Sequence, residues 1–493
     1  MLRVRVRLAL VAALLLAGHA EQPSTVVAAS VEAPPHAAAA PAATLAAQLA
    51  TKLQTTLDRH RVGLQIPGAS AAVIFSDGSQ WSGASGRASL DPLRSAKPST
   101  PFVLGSITKT FVAALTVQLA EEGLIGLDDP LSTWLPDYPQ SEQITLRQLL
   151  NHTSGVFNYF EHSAYNRKVF ERPSHHWLPQ EILDTFPGDP YFAPGTGYHY
   201  SNTNYVLLGM VIERSTGTSL GELLSSRFWE PLGMNATFFQ PDGPVPSAAA
   251  LGYLVRDGEP RQVWDGSGYR PTRSAATVAW AAGGMVGSAS DVARWARELY
   301  SGAVLSEAGR SELMDYEQSP ATKGRYALGT MTRSVDGRRM FGHTGSLRGF
   351  SAAMWHVPDA DATVVVLTNR GRIKANTVAD ALMARVLADT VSPSVPSGLT
   401  AASADDLGVA LAWQASSDDR PGDVSYRIFR DGIRIAITTT TSYVDRPSSA
   451  GSYRYKLRAV DAAGNKSAFS DEVVGSAVNG PAAYVRHSTL VAL

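Results

Sequence analysis

Hydrophobic residues change their spacing several times along this chain, and each change marks an element. From about Leu45 to Leu64 they recur at helical spacing, which predicts an amphipathic helix. Ala69 to Phe75 reads as a strand. Asp77-Gly78 is a hairpin signal, and Trp81 falls on the returning strand. A largely apolar helix is predicted over Ile107 to Glu122, ended by Gly123. Thr145 and Gln148 have the spacing of a capping box, for a short helix that stops before His152-Thr153-Ser154-Gly155. A second apolar helix is expected from Asn204 to Ser215 with Gly217 as its stop, and Ser288 with Asp291 opens a third through Leu299. Ala352 to Val357 and Thr363 to Thr368 read as strands, and Ala375 to Leu387 as a helix. Strands at both ends with helices between them predict an α/β sandwich carrying an inserted helical lobe.

The pattern then breaks. Ser392-Pro393-Ser394-Val395-Pro396-Ser397-Gly398 is a linker by composition. Beyond it the spacing is all β. Val409, Leu411 and Trp413 alternate with small or polar neighbours, and Tyr426 and Ile428 lead to a turn at Asp431-Gly432. Tyr453, Tyr455, Leu457 and Ala459 alternate with Arg454, Lys456 and Arg458, which gives one apolar and one basic face. The basic side reads as a solvated face.

At the other end, Arg3, Arg5 and Arg7 precede an apolar run from Leu8 to Leu16 that is too short to span a bilayer. With Gly18 and Ala20 behind it, this is the pattern of a secretory signal. His19 stands where a lipoprotein signal needs cysteine, so lipid attachment is not expected. The expected organisation is a signal peptide (1–20), an Ala/Pro-rich flexible leader (21–43), the α/β domain (44–391), a linker (392–398), a β-module (399–476) and a tail (477–493). The expected location is secreted, periplasmic or extracellular, without a stable membrane anchor.

Composition narrows the chemistry. The 493 residues suffice for more than one domain, and a formal charge of −1 gives no reason to expect nucleic acid as a partner. There is no cysteine, so thiol chemistry and cysteine metal sites are excluded. The eleven histidines include no H-E-x-x-H, and His175-His176 are adjacent, a poor spacing for one ion. No metal or other cofactor is expected.

Three short motifs remain. Ser106-Ile107-Thr108-Lys109 opens the first apolar helix. A serine hydroxyl needs a base within reach to act as a nucleophile, and a lysine three residues on lies one turn away on the same face. Apolar neighbours Ile107, Phe111, Val112, Ala114 and Leu115 would desolvate Lys109 and lower its pKa, as a lysine base requires. The bland reading is a helix-capping serine with a surface lysine. Tyr200-Ser201-Asn202 precedes the second apolar helix. Beside a charged lysine a tyrosine pKa is expected to fall, fitting Tyr200 for proton transfer, and Asn202 can hold Lys109 and a substrate amide. The bland reading is a strand-to-helix turn. His343-Thr344-Gly345 follows Met340, Phe341 and Gly342. There glycine allows close backbone approach, threonine can bond a substrate carboxylate, and the Ser346 amide can join that of Ser106 as an oxyanion pair. The bland reading is a hairpin or bulge with an exposed histidine.

Ser-x-x-Lys, Tyr-x-Asn and a [Lys/His]-Thr-Gly triplet, in this order, resemble the penicillin-recognising serine hydrolases, which include class C β-lactamases, D-Ala-D-Ala carboxypeptidases and related esterases and D-aminopeptidases. Leu149 to Gly155, Phe192 to Gly195, Tyr200 through Gly209 and Ala282-Gly283-Gly284 also match, so the likeness runs from about residue 44 to 390. It implies an antiparallel sheet with flanking helices plus a helical lobe. It implies Ser106 as the acylated nucleophile, Lys109 and Tyr200 as the proton-transfer pair, and Asn202, His343, Thr344 and Gly345 as substrate-binding residues. His343 departs from the commoner lysine, and to read a carboxylate as a cation it must be protonated. Tyr426-Arg-Ile-Phe-Arg-Asp-Gly432 and Tyr453 through Asn465 resemble a fibronectin type III module over about 80 residues, with Tyr453 as its corner tyrosine.

The activity these likenesses imply is D-alanyl-D-alanine carboxypeptidase-like hydrolysis, with a β-lactamase or esterase on the same scaffold as the alternative. The substrate would be a small peptide, β-lactam or ester. Cell-wall or polysaccharide association would fall to the β-module. A reading of another class is a binding protein whose hydrolase domain is inactive.

Overall fold

Seven strands from the two ends of the region 44–391 meet in one antiparallel sheet. They are β1 (Gly68–Ile74), β2 (Gln80–Leu90), β3 (Leu93–Ser95), β4 (Met331–Val335), β5 (Arg338–Leu347), β6 (Phe350–Val357) and β7 (Ala362–Thr368), in the order β3-β2-β1-β7-β6-β5-β4. The computed structural model describes residues 47–479 except 76–77, 303, 318–319, 336, 389–391, 419–423 and 462–464. The expected signal peptide, the leader, Asp77 of the first hairpin signal and nearly all of the tail lie outside these residues. Among the described residues, no helix is long and apolar enough to cross a membrane.

The sheet closes through β1 and β7, paired from Ala69↔Thr368 to Ile74↔Thr363. Every residue of β1, β6 and β7 is buried, because helices cover both faces. Ala71, Val73, Val364 and Val366 face α1 (Ala47–Gly63) and the last helix of the domain, Asn376–Leu387, which contribute Leu49, Leu53, Leu57, Leu382 and Met383. Ala72, Ile74, Val365 and Leu367 face the larger core, which extends into the helical lobe. Alternate side chains of a strand therefore feed two separate cores.

The helices that carry the site are α2 (Thr108–Glu121), α3 (Leu146–Leu150), α4 (Asn202–Thr216) and α5 (Arg273–Gly283). Helix α2 is buried all round, as an apolar sequence without a polar stripe requires. Phe111 stacks on Trp295 with ring centroids 3.8 Å apart, and Trp295 Nε1 donates to Thr110 Oγ1 at 2.9 Å. The expected capping box is present: Gln148 N donates to Thr145 Oγ1 and Thr145 N to Gln148 Oε1. Helix α4 begins at Asn202, two residues earlier than its apolar pattern suggests.

Two further sheets follow, and their first strand starts at Ser397, two residues inside the expected linker. One holds β8 (Ser397–Ser403), β9 (Val409–Gln414) and β12 (Ser442–Asp445). The other has the order β11-β10-β13-β14, formed by Ile433–Thr438, Ser425–Arg430, Gly451–Val460 and Val473–Ala477 respectively. Leu399, Val409, Leu411, Trp413, Tyr426, Ile428, Tyr455 and Leu457 fill the space between them. Asp431 and Gly432 both have positive φ, as a two-residue hairpin turn demands.

Candidate active site

Ser106 lies in a 3-10 turn, Gly105–Ile107, that runs into α2. Strand β5 passes directly against this turn. A Cβ on Gly345 would stand 1.8 Å from Leu104 O, so only glycine lets the two backbones approach. A Cβ on Gly105 would stand 2.7 Å from Ser346 N, which places the Ser346 amide beside the Ser106 turn. Ser346 pairs with Ser351 one step before the tight hairpin at Leu347↔Phe350. The alternation of an antiparallel ladder turns its N–H away from β6, and β4 stops pairing at Gly342. The Ser346 amide is thus free of strand pairing beside the Ser106 turn, where an oxyanion pair with the Ser106 amide is expected.

Lys109 has no exposed surface, yet its Nζ has three polar neighbours: Ser106 Oγ at 3.2 Å, Asn202 Oδ1 at 2.8 Å and Ala282 O at 2.6 Å. Ala282 lies in the last turn of α5, where carbonyls lack helical partners, after a backbone break at Trp280 (φ 33°, ψ −125°). Burial holds the Lys109 pKa well below its ordinary value. A neutral Lys109 donates to Asn202 and Ala282 and keeps its lone pair for the Ser106 hydroxyl.

Asn202 is committed to holding Lys109. Its Nδ2 and its backbone N both donate to Asn158 Oδ1 at 3.1 Å, and Asn158 Nδ2 donates to Glu161 Oε1 at 3.0 Å. Asn158 therefore fixes which end of the Asn202 amide meets the lysine. Nothing in the sequence singles Asn158 out.

Tyr200 stands just before the N-cap of α4, with its ring centroid 5.1 Å from Lys109 Nζ. Its buried hydroxyl makes no hydrogen bond of good geometry among the described residues, although Ser106 lies close enough to favour the phenolate. Burial outweighs that and raises the Tyr200 pKa. The expected depression of this pKa is thereby corrected: the cation that was to cause it is itself disfavoured in the same dry site. His152 packs against the Tyr200 ring at 4.3 Å, and its Nδ1 accepts from Ser201 N at 3.2 Å.

The expectation for His343 is also corrected. The ring is fully buried, with Nδ1 2.6 Å from Thr344 O and Nε2 2.9 Å from Tyr326 Oη. A carbonyl only accepts, so Nδ1 carries the proton and Nε2 accepts from Tyr326. Burial lowers the His343 pKa to about 3. A neutral interior ring cannot serve as a cation facing a substrate carboxylate. Thr344 is half-buried, and its Oγ1 lies 3.7 Å from Met331 Sδ. Among the described residues, no group of three or more His, Asp or Glu stands close enough to hold a metal ion.

Residues 45–388 match the family model described as Beta-lactamase, and residues 394–474 match that of the Rhamnogalacturonan I lyases beta-sheet domain. The chain is 29% identical to Penicillin-binding protein 4* of Bacillus subtilis over 300 residues, 58% of this chain and 64% of that protein. It is 28% identical to the D-aminopeptidase of Brucella anthropi over 323 residues, 64% of this chain and 58% of that protein. It thus spans less than two thirds of the length of either relative. Among solved structures, a D-stereospecific amidohydrolase from Streptomyces sp. superposes with a TM-score of 0.60 at 29% identity, covering 69% of this chain and 99% of that one. The D-amino acid amidase from Ochrobactrum anthropi SV3 gives 0.61 at 27% identity, covering 69% and 98%.

Proposed function

Since this chain belongs to the β-lactamase family of serine hydrolases, we propose that it cleaves a small amide or short peptide through an acyl-serine at Ser106, with D-amino acid amides as the preferred class. The observation that carries the chemistry is Lys109, buried without exposure and 3.2 Å from Ser106 Oγ. Neutral Lys109 takes the Ser106 proton as Oγ attacks the carbonyl carbon. The tetrahedral oxyanion rests on the Ser106 and Ser346 amides. Tyr200, kept as a phenol by burial, gives its proton to the departing amine and regains one from the Lys109 ammonium. Water then attacks the ester with the same groups in reverse, releasing the acid and restoring Ser106.

The neutral His343 favours substrates that end in an amide over those with a free C-terminal carboxylate. The likeness to the D-aminopeptidase and to the D-amino acid amidase supports the same choice. D-Ala-D-Ala carboxypeptidase action is the second reading, supported by the half-buried Thr344 on the edge of β5 and by the likeness to Penicillin-binding protein 4*. The assembled Ser106–Lys109–Asn202 cluster weighs against an inactive binding protein. The test compares kcat/KM on D- and L-phenylalanine amide, a D-Ala-D-Ala peptide, a cephalosporin and a nitrophenyl ester. The D-amide is expected to lead and the L-amide to trail. A leading D-Ala-D-Ala peptide, cephalosporin or ester would replace this reading with carboxypeptidase, β-lactamase or esterase.

Secretion is proposed from the Arg3 to Ala20 pattern, and export lost on deleting residues 1–20 would support it. The C-terminal sandwich is proposed to be a fibronectin type III module. Its three- and four-stranded sheets and the bond from Tyr453 Oη to Ser449 O, 2.9 Å, support this. Association of this module with a polysaccharide is a separate proposal.

A further inference from the structure

The outer face of the four-stranded sheet in the C-terminal module concentrates positive charge beyond what its alternating strand shows. Register places Arg427 directly opposite Arg458 and Phe429 opposite Lys456, and Arg434 pairs with Phe429 from the other side. Arg454 continues the row on β13. Phe469 leans edge-on against Phe429 at 5.1 Å, and Lys456 and Arg458 each lie 4.9 Å from its ring centroid. The face thus carries five cations. Among the described residues two carboxylates border it: Glu472, 3.8 Å from Arg454 Nε and about half exposed, and Asp431, whose Oδ1 accepts from Arg454 N at 3.0 Å.

The rings beneath Lys456 and Arg458 hold these cations in place but do not neutralise them. Like charges directly opposite on neighbouring strands are destabilising. Arg458 Nε is buried and has no hydrogen-bond partner among the described residues. An anion that bonds several of these groups at once would relieve both costs.

We propose that this face binds an acidic polysaccharide, a chain carrying carboxylates on its sugars. Four of the five cations are arginines, whose planar fork matches a carboxylate through paired bonds. Alternate residues on a strand are roughly 7 Å apart and neighbouring strands about 5 Å apart, so one extended polymer meets several cations together. The two aromatic rings are edge-packed and flanked by cations, so they offer no open platform for a base, and the other exposed apolar side chains of this face, Ile437 opposite Arg427 and Val474 opposite Arg454, stand on opposite edge strands with the charged row between them. This names the ligand and surface for the proposed polysaccharide association and does not rest on the hydrolase reading.

The test measures retention of the full chain on alginate, a polyuronate, against neutral dextran, duplex DNA and phosphatidylserine vesicles, at low and high salt. The expected result is retention on alginate alone, lost as salt rises. The double variant Arg427→Ser/Arg458→Ser is expected to weaken binding by roughly tenfold or more, because it removes two of the charges that meet the polymer. Lys456→Gln is a second, milder probe should the double variant unfold. Amide hydrolysis is expected to stay unchanged in both variants, and Ser106→Ala to bind alginate normally. Absence of retention over dextran, equal binding by the folded variants, or equally tight binding to DNA or vesicles would overturn the proposal.

Discussion

Replacing His343 by glutamine removes a titrating ring from the interior and leaves a neutral side chain of similar reach. In the folded chain His343 is protonated only near pH 3, whereas in the unfolded chain it titrates near about 6.5. Between those values the unfolded state binds more protons, so the contribution is full above the upper value and is lost as pH falls through the window. Going from about pH 7.5 to about pH 5, His343 alone removes about 2 kcal/mol of stability. His152 and His356 also have depressed pKa values from burial, but they are common to both proteins and cancel in the comparison. Equilibrium urea unfolding of wild type and His343→Gln across this range gives the difference directly. The variant starts lower, because the bonds to Tyr326 and Thr344 are disturbed. The wild-type advantage is then expected to shrink by about 2 kcal/mol on acidification. A constant difference, or a nuclear magnetic resonance titration showing His343 protonated at neutral pH, would refute the buried neutral ring. It would restore His343 as a candidate cation for a substrate carboxylate.

Three further outcomes follow from the same geometry. Lys109→Met is expected to lower kcat/KM by about a thousandfold or more and to lower stability by about 1 kcal/mol or more, because Asn202 Oδ1 and Ala282 O lose their buried donor; raised stability in thermal unfolding would contradict this. Asn158→Ala frees the Asn202 amide to turn, so kcat is expected to fall by about tenfold to a hundredfold with little change in KM; unchanged kcat would dismiss Asn158 as a positioning residue. Gly155→Ala puts a Cβ 2.0 Å from Phe192 O at a φ of 77°, and chemical denaturation is expected to show a loss of about 2–4 kcal/mol; a loss under about 0.5 kcal/mol would mean that the 152–155 turn yields easily.

What was legible in the sequence is what a few adjacent residues encode. Ser106 and Lys109 share a helix face, Tyr200 and Asn202 sit at a helix entrance, and Gly345 marks a close approach of two backbones. The capping box at Thr145 and the turn at Asp431-Gly432 are equally local and appear as expected. The errors concern environment. The desolvation of Lys109 is legible in its apolar neighbours, but a charged lysine was weighed for Tyr200 without the burial of the phenol itself, which reverses the sign for the tyrosine. His343 was read on an open strand edge, but Tyr326, seventeen residues earlier, closes over it. Asn158 belongs to a loop with no pattern of its own and acquires its role only because α4 brings Asn202 to it. The pairing of Arg427 with Arg458 depends on strand register, which alternation within one strand does not specify.

The most direct test of the central claim is to trap the acyl-enzyme. Mixing the protein with p-nitrophenyl acetate, quenching in acid and mapping the peptides by mass spectrometry locates the acyl group. The account predicts a burst of one nitrophenolate per chain and one acetyl group on Ser106. It also predicts that Lys109→Met loses the burst, because the hydroxyl no longer has a base at 3.2 Å. Steady turnover with no adduct, or an adduct on another residue in a protein whose Ser106→Ala variant still turns over, would contradict it.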